Sequence, residues 1–266
     1  MLNPIRSHIR FFWTYVAANF AVALEYRVAF FMQILGMIIN DSTWVLFWWI
    51  YFTRFQVLGG GWGVEDVLML WAIVAAAFGL ATGFFGNVLG LAEIISLGKL
   101  DYYLSLPKNV LLHVLVSRMD VAAWGDLLFG TGLFLLFLRP GPDRLAIFLL
   151  MAVCSAIIFL SLNIMWQSLA FWLGNAEGLA SQMWQALITF STYPEPLFKG
   201  FVKALLFTVL PATFLSHIPV SLIRSPDPML ILGEVAFALA LLALSIFVFY
   251  RGLRRYESGN LMVARS

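Results

Sequence analysis

The chain has 266 residues, of which 62% are hydrophobic and 11% are charged. Soluble domains average about 45–50% apolar and about 25% charged residues, so this chain has too few charges for a water-soluble surface. We therefore expect an integral membrane protein. The net charge of +2, without any run of Lys or Arg, argues against a nucleic-acid partner.

Residues 5–26 form the first predicted helix, which is amphipathic. Its large apolar side chains recur on one stripe with basic side chains beside it, as in helices that rest in the inner membrane interface. We expect the segment to be retained rather than cleaved as a signal peptide, because charged residues interrupt its apolar run. An extension of the first membrane span is the alternative interpretation. The stripe consists of Ile5, Ile9, Phe12, Val16 and Phe20, and the basic residues are Arg6 and Arg10.

Five further stretches are apolar over the roughly 20 residues that a helix needs to cross the hydrocarbon core. A sixth, Leu179–Tyr193, is shorter and ends at Pro194. The stretch Leu197–Ile223 is apolar but contains Pro211 and Pro219, so it is either a seventh crossing or a broken hairpin that enters one leaflet. The five clear stretches are Val28–Phe52, Val67–Leu91, Val110–Leu138, Leu145–Leu173 and Leu230–Tyr250.

The distribution of Lys and Arg decides between these topologies, because cytoplasmic segments carry an excess of both. With six spans and the N-terminus inside, ten of the 16 Lys and Arg residues lie inside and six lie outside. A seventh crossing would move the cluster Arg251, Arg254 and Arg255 to the outside. We therefore predict six spans with both termini in the cytoplasm.

The second predicted span carries four glycines at steps of four, three and four residues. This spacing places them on one helix face, where a neighbouring backbone can approach closely. The neighbour is either another helix of this chain or a second subunit. The four residues are Gly79, Gly83, Gly86 and Gly90.

Polar residues inside the spans are candidates for a transport pathway. Asp41 lies near the middle of the first span and Asp126 near the middle of the third, where a charge costs roughly 2.5–3.5 kcal/mol on insertion scales. Asn163 and Gln167 form an i, i+4 pair in the fourth span. Alternatively, neighbouring helices satisfy these groups, for example through Arg118, or the carboxyls stay protonated.

Motifs for catalysis or nucleotide binding are absent from the sequence. It contains no G-x-x-x-x-G-K-[ST] phosphate loop, no H-E-x-x-H and no G-x-S-x-G. The three histidines, His8, His113 and His217, belong to different segments without a clustered ligand set. We expect no catalytic residues, no metal site and no cofactor bound by this chain.

Two segments outside the spans carry the strongest functional signals. Residues 93–107, here called the inner loop, form a predicted cytoplasmic helix that ends at Pro107. We expect four of its apolar side chains to be exposed: Ile95, Leu100, Tyr103 and Leu104. Exposed apolar side chains on a cytoplasmic loop indicate a partner surface. Residues 194–222 form a proline-punctuated external hairpin.

Together with the tail of residues 250–258, these segments closely resemble the type-2 permease family of ATP-binding-cassette (ABC) exporters. The nearest branch comprises bacterial permeases of similar length whose ATPase is a separate polypeptide. The resemblance covers essentially the whole chain, and its order and spacing are more specific than any single motif. The family pattern in the inner loop is matched by Ile95, Gly98, Leu100, Asp101, Leu104 and Pro107.

The resemblance implies an all-α integral membrane domain over residues 1–266. It would contain the interfacial helix 5–26, six transmembrane helices, a coupling helix at 93–107 and a re-entrant external hairpin at 194–222 before the last span. Two permeases, identical or sister chains, would enclose a pathway in the bacterial cytoplasmic membrane. Two ATPase subunits, which bind ATP and Mg, would dock beneath them. The coupling residues implied are Ile95, Gly98, Leu100, Asp101, Tyr103, Leu104 and Pro107, and the outer gate is implied at Tyr193, Pro194, Pro211 and Pro219.

Two other functions remain open on the sequence. A secondary transporter or channel without an ATPase usually shows inverted repeats and midplane charges. No repeat relates the two halves of this chain, although Asp41 and Asp126 fit such a mechanism. A non-transporting assembly factor would not need the proline-broken hairpin. The sequence does not identify the substrate, because residues that suit a lipid-like cargo suit the bilayer equally.

Overall fold

The structure is a computed structural model that describes residues 4–55, 61–201 and 210–257. Of these residues 84% are helical, and no β-strand occurs among them. The prediction of an all-α fold is therefore confirmed. Part of the predicted hairpin, residues 202–209 with Lys203, lies outside the described residues, as do Ser258 and Arg265 of the tail.

The helices follow one another with short connections. They are α1 (Pro4–Glu25), α2 (Arg27–Arg54), α3 (Val64–Phe85), α4 (Leu91–Ser96), α5 (Leu100–Leu104), α6 (Val110–Val116), α7 (Ala123–Phe137), α8 (Pro142–Ser168), α9 (Ala170–Leu173), α10 (Glu177–Thr192), α11 (Ile218–Arg224) and α12 (Pro228–Leu253). Two 3₁₀ turns, Gly86–Gly90 and Glu195–Leu197, and a π-helical turn, Thr213–His217, join some of them.

In the described part of the chain, four helical segments are long and apolar enough to cross a membrane: Arg27–Arg54, Val64–Ser96, Pro142–Leu173 and Pro228–Leu253. They correspond to the first, second, fourth and sixth predicted spans. The helix α10, at the fifth predicted span, has 16 residues. At 1.5 Å per residue it is about 24 Å long, shorter than the roughly 30 Å hydrocarbon core. The six-span topology stays a prediction.

The third predicted span, Val110–Leu138, is not one continuous helix, which corrects the prediction. A short irregular stretch divides it into α6 and α7. There the backbone bonds to the second span instead of to its own helix. The Asp120 N–H donates to the Thr82 carbonyl, and the Asn87 N–H donates to the Arg118 carbonyl, both at 3.0 Å. These bonds replace the helical ones that the interruption removes.

The helix α3 forms the centre of the bundle. In its most apolar window 83% of the residues are buried, against 11% in α2 and 17% in α12, which lie at the periphery. Close backbone contact joins α3 to α7, because a Cβ added to Gly130 would lie 2.5 Å from the carbonyl of Ala72. Stacked rings of Phe134 and Phe148, 3.9 Å apart, join α7 to α8.

The glycines of the second span pack inside this chain. A Cβ added to Gly79 would lie 2.5 Å from the Leu127 nitrogen, and one added to Gly86 would overlap the Asp120 nitrogen. The contacts at Gly83 and Gly90 are looser, at 3.6 and 3.8 Å. These contacts favour the internal alternative over a subunit contact.

The N-terminal helix α1 is separate from α2. A turn at Tyr26 divides them. The rings of Phe20 and Phe30 lie 6.3 Å apart, whereas ten residues of one straight helix would span about 15 Å. The chain therefore folds back between α1 and α2, which excludes a straight extension of the first span. Its place in the membrane interface stays a prediction.

Candidate functional site

A cavity of about 250 Å³, here called the acidic cavity, lies between α2, α3, α7 and α10. These elements come from the first, second, third and fifth predicted spans, so residues far apart in sequence meet there. The polar side chains that line it are Asn40, Asp41, Asp126, Thr189 and Thr192.

Asp41 and Asp126, which the sequence analysis selected separately, face each other in the acidic cavity. Each side chain is 4% exposed, and the two carboxyl groups lie close enough to interact directly. The Asn40 amide donates to Oδ1 of Asp41 at 3.4 Å. Oδ2 of Asp41 and Oδ2 of Asp126 have no hydrogen-bond partner among the described residues. Two carboxyl groups this close repel each other when both are ionised, so the pair either shares a proton or is balanced by a cation.

Aromatic side chains form another wall of the acidic cavity. The indoles of Trp44 and Trp71 stack with centroids 5.9 Å apart and planes 15° apart. The Tyr193 ring stands edge-on to Trp44 at 6.5 Å. This wall places indole rings beside buried carboxyl groups, and the combination of aromatic rings and carboxyl groups suits positively charged organic groups.

Asn163 and Gln167 lie elsewhere and do not line the acidic cavity. The Asn163 amide donates to the Phe159 carbonyl of its own helix at 3.0 Å. Gln167 joins α8 to the second span: its Oε1 accepts from the Ala92 N–H and its Nε2 donates to the Leu89 carbonyl, both at 2.9 Å. Their contacts indicate a structural role rather than the predicted pathway role.

Arg118 does not line the acidic cavity either. It lies exposed in the break between α6 and α7 and lines a different cavity, beside Asp120 and Glu93. Asp126 interacts electrostatically with two acidic side chains, those of Asp41 and Asp120. The alternative in which Arg118 neutralises the aspartates therefore has no support from its position.

The inner loop is not one helix that ends at Pro107, which corrects the prediction. It consists of the end of α4, a turn and the short helix α5. Gly98 has φ +69°, a left-handed conformation that ends α4, and the Lys99 N–H donates back to the Ile94 carbonyl at 3.0 Å. Glycine adopts this conformation without the steric cost of a Cβ.

The predicted apolar knobs of the inner loop are partly wrong. Ile95 and Leu100 are 3% and 0% exposed, because they pack into a core with residues of α6, α9 and α12. Tyr103 is half-buried and its hydroxyl pairs with the Ser117 hydroxyl at 3.2 Å. Leu104 is exposed as predicted. Three apolar side chains are exposed on the surface of the inner loop: Leu97, Tyr102 and Leu104. They are here called the loop surface.

The C-terminal tail braces the inner loop. The Tyr256 ring packs edge-on against Phe171 at 6.3 Å, and its hydroxyl lies beside Asp101. Burial, with the neighbouring Asp101 carboxylate, raises the pKa of Tyr256 to about 12. The tail thus packs against the inner loop, and Gln167 of α8 bonds to Leu89 and Ala92, just before the loop begins.

The interfacial helix reaches the inner loop through His113 of α6. The Tyr15 hydroxyl contacts Nε2 of His113 at 2.5 Å, and the Tyr103 ring lies edge-on to the same imidazole at 5.4 Å. Burial raises the pKa of Tyr15. The Lys108 ammonium donates to the Ser7 hydroxyl at 2.6 Å. These contacts join α1 to α6 and to Lys108, and through His113 to Tyr103 of the inner loop.

Of the predicted outer-gate residues, Tyr193 lies at the acidic cavity. Tyr193 lines the cavity, and its carbonyl contacts Nε2 of His217 at 3.1 Å. The prolines Pro194, Pro211 and Pro219 are buried. The π-helical turn therefore connects directly to the cavity wall.

Sequence reasoning missed three features. Glu234 of α12 is 1% exposed, and neither carboxyl oxygen has a hydrogen-bond partner among the described residues. Trp71 completes the aromatic wall. Gly125 lets α7 approach α2. Glu234 could have been selected from the sequence, because it is a charged residue within an apolar span. The roles of Trp71 and Gly125 depend on contacts between helices that the sequence does not show.

This fold defines a multi-pass helical membrane protein with a polar cavity among its helices, the arrangement of a membrane transport component. The sequence model of the ABC-2 family transporter proteins matches residues 38–259, most of the chain. The chain therefore belongs to this family, as its resemblance predicted. Comparison with curated proteins gives no match.

Proposed function

We propose that this chain is the permease subunit of an ATP-driven exporter, that it forms half of a translocation pathway, and that it couples to a separate ATPase. The loop surface carries this proposal. Leu97, Tyr102 and Leu104 are 41%, 64% and 44% exposed, although the segment around them is anchored to the bundle. Apolar side chains on a braced loop suit a protein partner that transmits force.

The ATPase would press on the loop surface and displace the inner loop. The buried contacts of Leu100 and the hydrogen bonds of Gln167 would then pass the displacement to α3 and α8. Both are parts of the bundle that surrounds or supports the acidic cavity. A two-state element of this kind needs a mechanical path between its two sites.

The acidic cavity is the best candidate for the part of the pathway that contacts the substrate. The segment from Pro194 to Pro219 would close it from the outside. A second permease, identical or sister, would pack on exposed apolar helices such as α2, which contributes Asp41 and Trp44 to the cavity. We place the complex in the bacterial cytoplasmic membrane with both termini inside, as the distribution of Lys and Arg indicates.

A secondary transporter is the second candidate, because proton-coupled carriers use buried carboxyl groups to bind and release protons. The two functions differ in energy source. Purified chain in vesicles that moves cargo on a proton gradient, without any ATPase, would support the carrier. A requirement for ATP and the ATPase would support the exporter.

The exporter proposal is tested by co-expressing the tagged chain with a Walker-motif ATPase encoded beside it. We expect the ATPase to co-purify, and the double change Leu97→Asp with Leu104→Asp to reduce the amount recovered by about tenfold, since 1.4 kcal/mol of lost binding energy is tenfold. Phe55→Asp, at an equally exposed site on the opposite end of the bundle, is the control. Undiminished recovery in the double variant would contradict the assignment of the loop surface.

A further inference from the structure

The acidic cavity contains two carboxyl groups, those of Asp41 and Asp126, without a basic side chain beside them. None of the described residues that line it is Lys, Arg or His. Asp41 and Asp126 are more than nine-tenths buried, and one oxygen of each has no hydrogen-bond partner there. Electrostatic attraction favours the binding of a cation in such a site, because opposite charges attract each other much more strongly at low dielectric than in water.

The remaining walls favour an organic cation over a metal ion. The stacked indoles of Trp44 and Trp71 present the ring type that attracts cations most strongly. In the part of the chain that the structure describes, no group of three or more His, Cys, Asp or Glu side chains could hold a metal ion. The apolar wall is formed by side chains such as Val74, Phe78 and Ile188, which suit the carbon skeleton of a ligand.

The volume limits the size of the group that fits. At about 250 Å³ the cavity lies just below the usual range of about 300–1,000 Å³ for small-molecule sites. It therefore accommodates an ammonium head with one ring or a short chain, rather than a complete lipid.

We propose that Asp41, Asp126, Trp44 and Trp71 form a binding site for a lipophilic organic cation, either a protonated amine or a quaternary ammonium on an apolar body. The carboxyl groups hold the charged head, and the two indoles cover its methyl or methylene groups. That this ligand is the transported substrate rests on the exporter proposal, whereas the binding site does not.

Isothermal titration calorimetry on the full chain in lipid nanodiscs tests the site. The probe is benzyltrimethylammonium, and benzyl methyl sulfone is its neutral analogue. We expect saturable binding of the cation at least about tenfold tighter than that of the sulfone. Asp41→Asn, Asp126→Asn and Trp71→Leu should each weaken cation binding by about tenfold or more.

Two control variants separate the site from general effects. Asp143→Asn changes an exposed acid at the start of α8, and Trp49→Leu changes an indole of α2 that does not line the acidic cavity. Both should leave the affinity unchanged. Equal affinities for cation and sulfone, or unchanged affinity in folded Asp41→Asn and Asp126→Asn chains, would overturn the proposal.

Photolabelling covers the case in which the variants do not fold. Azidobenzyltrimethylammonium applied to the unmodified chain should label residues around Trp44, Trp71 and Tyr193, as identified by mass spectrometry. Labelling confined to other sites would overturn the assignment. If the ATPase co-purifies but no cation binds, this inference fails and the exporter proposal stands. If the cation binds but no ATPase co-purifies, the binding site stands and the exporter proposal fails.

Discussion

Gly125 of α7 lies directly against the backbone of Ile34 of α2, and a Cβ on this glycine would lie 2.6 Å from the Ile34 carbonyl oxygen. The close approach of the two helices brings the next residue of α7, Asp126, against Asp41 one to two turns along α2. The geometry of the acidic cavity therefore depends on a residue that contributes no side chain to it.

Gly125→Ala is expected to separate α2 from α7 and to destabilise the chain by about 1–3 kcal/mol, the usual cost of overpacking. Gly132→Ala, in the same helix, is the matched control because nothing lies within 4 Å of its added Cβ. The control should be neutral or slightly stabilising, since alanine favours helix more than glycine does. Thermal unfolding in detergent checks both, and equal melting temperatures for the two variants would contradict the contact.

The long spans were predictable because a hydrophobic run of sufficient length has few alternatives to a membrane helix. The pairing of Asp41 with Asp126 was not, because it requires the contact at Gly125 between distant helices. The break between α6 and α7 was also hidden. Its sequence, residues 117–122, contains neither Gly nor Pro to mark an interruption. The backbone bonds that stabilise it come from Thr82 and Asn87 of another segment.

The inner loop illustrates the same limit on a smaller scale. Four apolar residues of the loop were expected to be exposed, yet Leu100, one of them, is fully buried, and Leu97, which was not selected, is exposed. The turn at Gly98 rotates α5 relative to α4, so a single helical periodicity does not describe which residues face outward. The glycine itself was a signal of that turn.

Gly98→Val is expected to reduce coupling to the ATPase while leaving membrane insertion intact, because a β-branched residue is strained at φ +69°. Gly98→Asn should retain most of the coupling, since asparagine tolerates the left-handed region better. Stimulation of the ATPase by the permease is the measurement. Full stimulation in the valine variant would show that the turn is not needed for coupling.

Gln167→Leu should destabilise the chain by about 1–3 kcal/mol for each buried backbone group that loses its partner. The groups affected are the Ala92 N–H and the Leu89 carbonyl, which Gln167 joins to α8. Gln182→Leu, at an exposed position of α10, is the control and should change stability little. Unfolding curves and ATPase stimulation should both respond at Gln167, whereas an effect on neither would exclude the bracing role.

The raised pKa of Tyr256 predicts that the folded chain loses stability at alkaline pH. Its pKa is about 12 in the folded chain and 10.0 without perturbation, so the folded state favours the neutral phenol. The stabilisation is fully present below pH 10 and is lost as the pH rises through 12, because the unfolded chain ionises first. Tyr256→Phe should flatten the fall in melting temperature in that window. Tyrosinate absorbance of the variant against the parent locates the titration, and a midpoint near pH 10 in the folded chain would contradict the contact with Asp101.

Cysteine labelling tests the six-span topology, which four clear spans and two shorter helices leave as a prediction. With six spans, Gly141→Cys lies outside, and Ser105→Cys and Gly178→Cys lie inside. A membrane-impermeant maleimide applied to intact cells should therefore label only the first, and all three after the membrane is opened. All three sites are exposed in the structure, and a Cβ added at Gly141 or Gly178 would have no atom within 4 Å. If Gly178→Cys is labelled from outside while Ser105→Cys is not, the fourth span does not end in the cytoplasm. The helix α10 then does not cross the membrane from inside to outside as predicted.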